Sequence, residues 1–382
     1  MSMPITPKHS ADALVKNKAL SHFLNFSRAL AAVLVLFFHI RTALVVPYDS
    51  LQVHNWLTRT LFAATSFGHD AVIIFFVLSG YLVGGAVLKL DLRSSHDLWG
   101  YWVDRIVRIA PVLIATIGFS IILQREAPLF ECNDSSVTIL GNILALQNVF
   151  VRPLCNNLPL WSISNEVVYY FVFPVMIAAL SRLFSVWLAV SIVFVLLICI
   201  WSLGLAPWDD TNIVLDFPFW LIGAGLWFIP DRFNRLRWFA LLMLSAALLF
   251  GRLDAGKNYF WFRDLFLAAS FSFLLVTFLN QPMPKSGVRA TVATYFANWS
   301  RWFAEFSFSL YVIHYPLIRL YIYFGLNSGL HGTRYTAITP LIAAEFVGLG
   351  AFCILIALGF SWLFERPRRF FKRTIVARLG IS

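Results

Sequence analysis

Charge is what this chain of 382 residues has least of. Asp, Glu, Lys and Arg make up 13% of it, about half the share of an ordinary soluble domain. So few charges cannot clothe a water-facing surface of this size. With 59% hydrophobic residues and a mean hydropathy of +0.75, part of the solvent must be lipid. Acids are scarcer than bases, 19 against 30, for a net charge of +11. The eight histidines are scattered without ligand spacing, so no metal site is expected. Period-two alternation is missing, which argues against a transmembrane barrel. No internal repeat and no linker toward a second domain are visible.

What is there instead is a series of continuous apolar runs. Candidate spans fall near 24–46, 68–90, 107–124, 163–182, 185–205, 212–230, 236–251, 260–280, 302–324 and 339–364. A run of about 20 residues fits a hydrocarbon core about 30 Å thick. The expected fold is all-α, a polytopic integral membrane protein of about ten transmembrane helices. A cytoplasmic segment at 1–23 precedes a transmembrane domain at 24–364, and a basic tail follows at 365–382. With the N-terminus inside, most lysines and arginines fall in inside segments, so both termini are expected in the cytoplasm. The positive balance therefore reads as orientation, and no nucleic-acid partner is expected. No small-residue cleavage site follows a short apolar core, so the first span is expected to be its own uncleaved signal. Cys132 and Cys155 share the long connection between the third and fourth spans, which this topology puts outside, where a disulfide is permitted. Cys199 and Cys353 fall inside spans, as small core residues do.

Four stretches interrupt the apolar pattern in ways that point to chemistry. In "FSRALAAVLVLFFHIRTALVV" (26–46) Arg28 and His39 lie eleven residues apart. That is about three turns, so both share one helix face about 16 Å apart. Either Arg28 snorkels to the interface and His39 makes one helix–helix hydrogen bond, or the pair is functional, as intramembrane ionisable residues are by default. In "GHDAVIIFFVLSGYLVGG" (68–85) Gly80, Gly84 and Gly85 make a small face that a helix or a ligand can approach closely. In "YWVDRIVRIAP" Arg105 and Arg108 share a face at the start of the third span. Two guanidiniums there suit phosphate oxygens, and Arg28 is placed to converge on the same anion. In "PLWSISNEVVYYFVFP" (159–174) Glu166 is expected at the outer membrane boundary among Trp161, Tyr169 and Tyr170. It reads either as a helix N-terminal charge or as part of a sugar-facing surface.

Together these stretches resemble the acyltransferase-3 family of membrane acyltransferases. Arg28 and His39 match the family's Arg/Lys-x10-His pair, and "HDAVIIFFVLSGYL" its "VDLFFVLSGFL"-like span. Arg105, Arg108 and Pro111 match its Arg-x-x-Arg with a nearby Pro, and "WSISNEVVYYFVFP" its "WSLSVEEQFYLFFP"-like segment. "FSFSLYVIHYPLI" (306–318) and "FERPRR" (364–369) are similar to its late elements. Asn165 and Val167 depart from the pattern, since a second acid or a Gln is common there. The SGNH-type domain fused to some members has no counterpart, which implies a single-module enzyme.

The resemblance implies an O-acyltransferase of the bacterial inner membrane. It would move an acyl group, acetyl by family frequency, from cytoplasmic acyl-CoA to a hydroxyl of a glycan or lipid-linked sugar outside. Exopolysaccharide, O-antigen and lipo-oligosaccharide are all compatible acceptors. Acyl-CoA is the donor substrate, and no permanently bound cofactor is expected. The implied donor-binding residues are Arg28, Arg105 and Arg108. His39 is the implied general base or acyl-accepting nucleophile, and Glu166 the second catalytic candidate. Asp70, Trp161, Tyr169 and His314 are weaker candidates for substrate contact or support. A transporter of lipid-linked sugars, or another membrane component of polysaccharide export, is the competing expectation; such a transporter would favour pseudo-repeats and paired broken helices.

Overall fold

A computed structural model describes residues 18–92, 94–127, 133–182, 211–229, 233–253, 259–279, 286–327, 334–368 and 372. Among these residues there is no β-strand, only two isolated bridges. The helices are α1 (Lys18–Leu44), α2 (Trp56–Ala64), α3 (Gly68–Val87), α4 (Ser95–Glu126), α5 (Ser136–Ile143) and α6 (Trp161–Arg182). Then come α7 (Ile213–Gly225), α8 (Arg237–Phe250), α9 (Phe260–Val276), α10 (Val288–Asn327) and α11 (Pro340–Phe360), whose last turn widens into a π-turn at Ser361–Glu365. Five stretches are long and apolar enough to cross a membrane: Lys18–Leu44, Trp56–Val87, Ser95–Glu126, Leu158–Ile177 and Pro340–Glu365. The protein is therefore a multi-pass, all-helical membrane protein. The expected span at 185–205, the first seventeen residues and most of the basic tail lie outside the described residues.

Every other expected span falls on a helix, but two helices begin well before the apolar run does. Helix α4 starts at Ser95, where the Ser94 hydroxyl accepts from the Asp97 amide at 3.2 Å, a serine N-cap. Arg105 and Arg108 therefore lie inside a 32-residue helix, about three turns after it begins. Helix α10 likewise begins at Val288, one long polar-edged approach before the apolar part at 302. Apolarity marks where a helix meets lipid, whereas caps mark where it starts. The two short helices α2 and α5 have no apolar signature of a span. They are set by caps, Asn55 with Thr58 in a reciprocal box and Ser135 with Thr138.

The centre of the bundle is α3, packed against α7, α1 and α9, while α1 packs along α10. The small face of α3 is occupied by a helix. A Cβ on Gly80 would overlap the Trp220 carbonyl, and one on Gly223 would overlap the Val77 carbonyl. The two backbones thus touch at reciprocal glycines, the close approach that drives association where lipid removes the hydrophobic force.

Two prolines open docking points at the site. Pro316 lies in α10 and carries no N–H, so the carbonyl four residues back, on Val312, loses its helical donor. The Asn157 side-chain amide donates to it at 2.9 Å. Pro174 frees the Tyr170 carbonyl in the same way, and the Tyr101 hydroxyl donates to it at 3.2 Å. The first contact pins the loop before α6 against α10. The second ties α4 to α6.

Candidate active site

Three connected places hold the ionisable residues singled out in the first, third and fourth stretches, together with His314. The first is a basic vestibule at the end of the bundle where α10 and the π-turn meet α1. It is a cavity of about 450 Å³ bordered by Arg28, Arg108, Arg301, Glu305, Glu365 and Arg366. A side chamber of about 240 Å³ adjoins it, bordered by Asp104, Arg105, Arg108, Arg368 and Lys372. Glu365 is held by the Ser309 hydroxyl at 2.6 Å and that of Ser361 at 3.2 Å. Wider π-turns inside helices recur at functional sites; here one brings Glu365 onto α10.

The second place is an inner cavity of about 70 Å³ that Arg28 and Arg108 border from the vestibule side. Glu166 faces into it, accepting the Ser79 hydroxyl at 2.6 Å and the Tyr170 hydroxyl. Trp220 Nε1 donates to Ser79 Oγ at 3.2 Å and completes the chain. Glu166 is thus not a boundary charge beside an outer sugar surface. It lies inside the bundle with the two arginines, because α6 begins at Trp161 and carries position 166 inward against α3. Among the described residues neither Arg28 nor Arg108 has a carboxylate within 4 Å. Arg105 lies beside them, its guanidinium over the Tyr101 ring at 5.4 Å and the Tyr170 ring at 5.9 Å. Its Nε has no hydrogen-bond partner.

The third place is the histidine pair. The His39 ring lies 5.2 Å from that of His314 and 5.2 Å from that of Tyr315, centroid to centroid. His314 is buried, and its Nδ1 lies 3.1 Å from the Leu310 carbonyl. That contact requires an N–H at Nδ1, which leaves the lone pair on Nε2. Nε2 is buried and meets no protein partner. Tyr311 joins this pair to the inner cavity. Its ring borders the cavity and lies 5.9 Å from that of His314. Its hydroxyl is 2.6 Å from that of Ser162.

The structure thus brings Arg28, Arg105, Arg108 and Glu166 together, and sets His39 beside His314. Three weaker candidates belong elsewhere. Asp70 is buried against Arg252 at 2.6 Å, so its carboxylate is not the group that orients His39. Tyr169 is buried and donates to the Ile213 carbonyl at 2.6 Å, which makes it a tie between α6 and α7. Trp161 is half-buried, edge-on to Phe76 at 6.1 Å. Cys155 is disulfide-bonded, and Cys132 lies outside the described residues. No cluster of three metal-ligating side chains occurs among the described residues. Sequence reading passes over Ser79, Tyr311 and Glu365, and takes Tyr170 only as one of the aromatics around Glu166. None of them carries a charge inside an apolar run except Glu365, and its "FERPRR" setting resembles an ordinary anchoring tail.

The profile of the acyltransferase-3 family, described as an acyltransferase domain, matches residues 21–366, which takes in all three places. The chain belongs to the acyltransferase-3 family. It is similar to acyltransferase MdmB of Streptomyces mycarofaciens, 29% identical over 115 residues, covering 29% of this chain and 28% of that one. It is also similar to an uncharacterized protein of Haemophilus influenzae, 26% identical over 144 residues, covering 35% of this chain and 58% of that one. The chain thus spans between about a quarter and three fifths of the length of these curated relatives. No solved structure matches.

Proposed function

We propose that this acyltransferase takes an acyl group, acetyl in the simplest case, from acyl-CoA and transfers it to a sugar hydroxyl beyond the opposite face of a bacterial cytoplasmic membrane. The observation that carries the reading is the pair of arginines, Arg28 and Arg108. They stand without a carboxylate partner between a basic vestibule and an inner cavity, and the helix of Arg28 carries His39 three turns further on. Interior cations are costly unless paired, and a polyphosphate ligand supplies the missing counter-charge. Guanidiniums suit it because they bind phosphate oxygens through two parallel N–H donors.

In this reading the ten-span topology keeps both termini in the cytoplasm. The vestibule then opens on the side where acyl-CoA is made. The phosphates rest among Arg28, Arg108, Arg301 and Arg366, and the thioester enters the inner cavity. The acceptor sugar approaches from the other side, to His39. The His39 imidazole takes the proton of the sugar hydroxyl as the oxygen attacks the thioester carbonyl. The tetrahedral intermediate collapses with rupture of the C–S bond, and the CoA thiolate leaves and recovers the proton from the imidazolium. His314, its Nδ1 held by the Leu310 carbonyl, packs its ring against that of His39 and steadies it by contact.

The test uses cells lacking the native gene, complemented with wild type, His39→Ala or Arg108→Ala at matched membrane abundance. Ester-linked acyl groups on the surface glycan are then measured. Wild type restores them, and both variants lose them. Full acylation with His39→Ala overturns the catalytic assignment. A wild-type protein that adds no acyl group while glycan export depends on it makes the protein a transport component.

A further inference from the structure

The inner cavity runs along α3, whose first turn lies toward the histidines. Gly68, at the start of α3, rests against Phe38, the neighbour of His39. One to two turns along α3, Val72 and Phe75 border the cavity with Ile163 and Tyr311. The Phe75 and Tyr311 rings meet edge to face at 5.7 Å. Val72 and Ile163 are buried, so these walls have packed neighbours behind them. The other end, near Ser79 and Leu82, opens toward Arg28 and Arg108. The cavity totals about 70 Å³. An apolar cavity that holds benzene measures about 150 Å³, and a water takes about 30 Å³. There is room for an acyl group of two or three carbons and little more.

Its polar groups are already matched to one another. At the histidine end Ser162 and Tyr311 share a hydrogen bond, and the Tyr311 hydroxyl donates to the Pro159 carbonyl at 3.3 Å. The one carboxylate on the wall, Glu166, is satisfied by two hydroxyls. Succinyl, with four carbons, exceeds that room and sets a second carboxylate beside Glu166, a cost that a larger chamber does not remove.

Resting on the acyl-CoA reading above, we propose that this cavity is the acyl chamber and that Val72, Phe75 and Ile163 set its length. The chamber accepts short uncharged acyl groups, acetyl and propionyl, and excludes both longer chains and a dicarboxylic acyl such as succinyl.

The experiment measures binding of free CoA, acetyl-CoA, hexanoyl-CoA and succinyl-CoA to the purified full chain in detergent. Overfilling a packed cavity weakens binding by about tenfold or more. Hexanoyl-CoA and succinyl-CoA are therefore expected to bind at least that much more weakly than acetyl-CoA. Phe75→Leu and, separately, Val72→Ala enlarge the chamber, so each should narrow the hexanoyl penalty while leaving the succinyl penalty in place. Equal binding of acetyl-CoA and hexanoyl-CoA by wild type overturns the proposal even if neither variant folds. So does an unchanged ratio in a folded variant. Absence of binding by every thioester and by CoA itself contradicts the donor reading on which the chamber depends.

Discussion

The two ends of this bundle treat charge in opposite ways. Where α3 begins and α8 ends, buried acids are matched with bases. Asp70 faces Arg252 at 2.6 Å, and Asp264 takes both Arg263 at 2.8 Å and His69 at 2.9 Å. In the loop after α4, Asp134 meets Arg152 at 3.1 Å. Where α1 begins, Arg28 and Arg108 border two cavities, and among the described residues no carboxylate lies within 4 Å of either. A buried pair is stable only while both members remain, because removing one strands the other in low dielectric. An unpaired interior cation has no such place in the fold. It makes sense as half of a complex whose other half arrives from outside. Paired charge marks architecture here, and unpaired charge marks the site.

That contrast can be broken by substitution, most strongly at the chemistry. His39→Ala should lower acyl transfer by about a hundredfold to ten-thousandfold, the usual worth of a positioned general base, with normal membrane abundance. Turnover in membranes carrying matched amounts of protein reads this out, and near-normal turnover would return His39 to the fold. Asp264→Ala should do the reverse. It removes the carboxylate that meets both Arg263 and His69 and costs about 3–5 kcal/mol of stability, seen as a large drop in melting temperature or as loss of protein from the membrane. The close helix contact is next. Gly80→Ala drives a methyl into the Trp220 carbonyl and should cost about 1–3 kcal/mol, again as a lower melting temperature. The smallest effect belongs to the vestibule rim. Arg301 is 72% exposed and lies 3.8 Å from Glu305, so Arg301→Gln should weaken donor binding only about twofold to threefold. The loss should fade in high salt, as screened surface charges require. A salt-independent loss would mean that Arg301 holds the phosphates from a shielded position and not at the exposed rim.

Much of this was legible in the residues, and what was not has physical causes. Charges inside apolar runs announced Arg28, His39 and the Arg105/Arg108 pair, because lipid makes such residues conspicuous. The same logic misplaced Glu166. Distance from the edge of an apolar run does not tell how a helix sits against its neighbours, and α3 draws position 166 inward through Ser79. Asp70 looked equally suggestive, but its partner Arg252 lies 182 residues away, beyond any local pattern. Hydroxyls such as Ser79 and Tyr311 gave no signal, since serine and tyrosine are ordinary in membrane helices. Pro316 was visible as a helix proline. That it would free the Val312 carbonyl for Asn157 is a tertiary fact.

The most direct test compares one arginine from each end. Wild type, Arg108→Gln and Arg252→Gln are purified in detergent and melted with and without acetyl-CoA. Arg252→Gln should melt well below wild type and still be stabilised by acetyl-CoA in proportion to what remains folded. Arg108→Gln should melt as wild type does without ligand and lose the stabilisation that acetyl-CoA confers. If Arg108→Gln instead melts as low as Arg252→Gln and keeps the full acetyl-CoA shift, the unpaired arginines belong to the fold, and the division between the two ends is wrong.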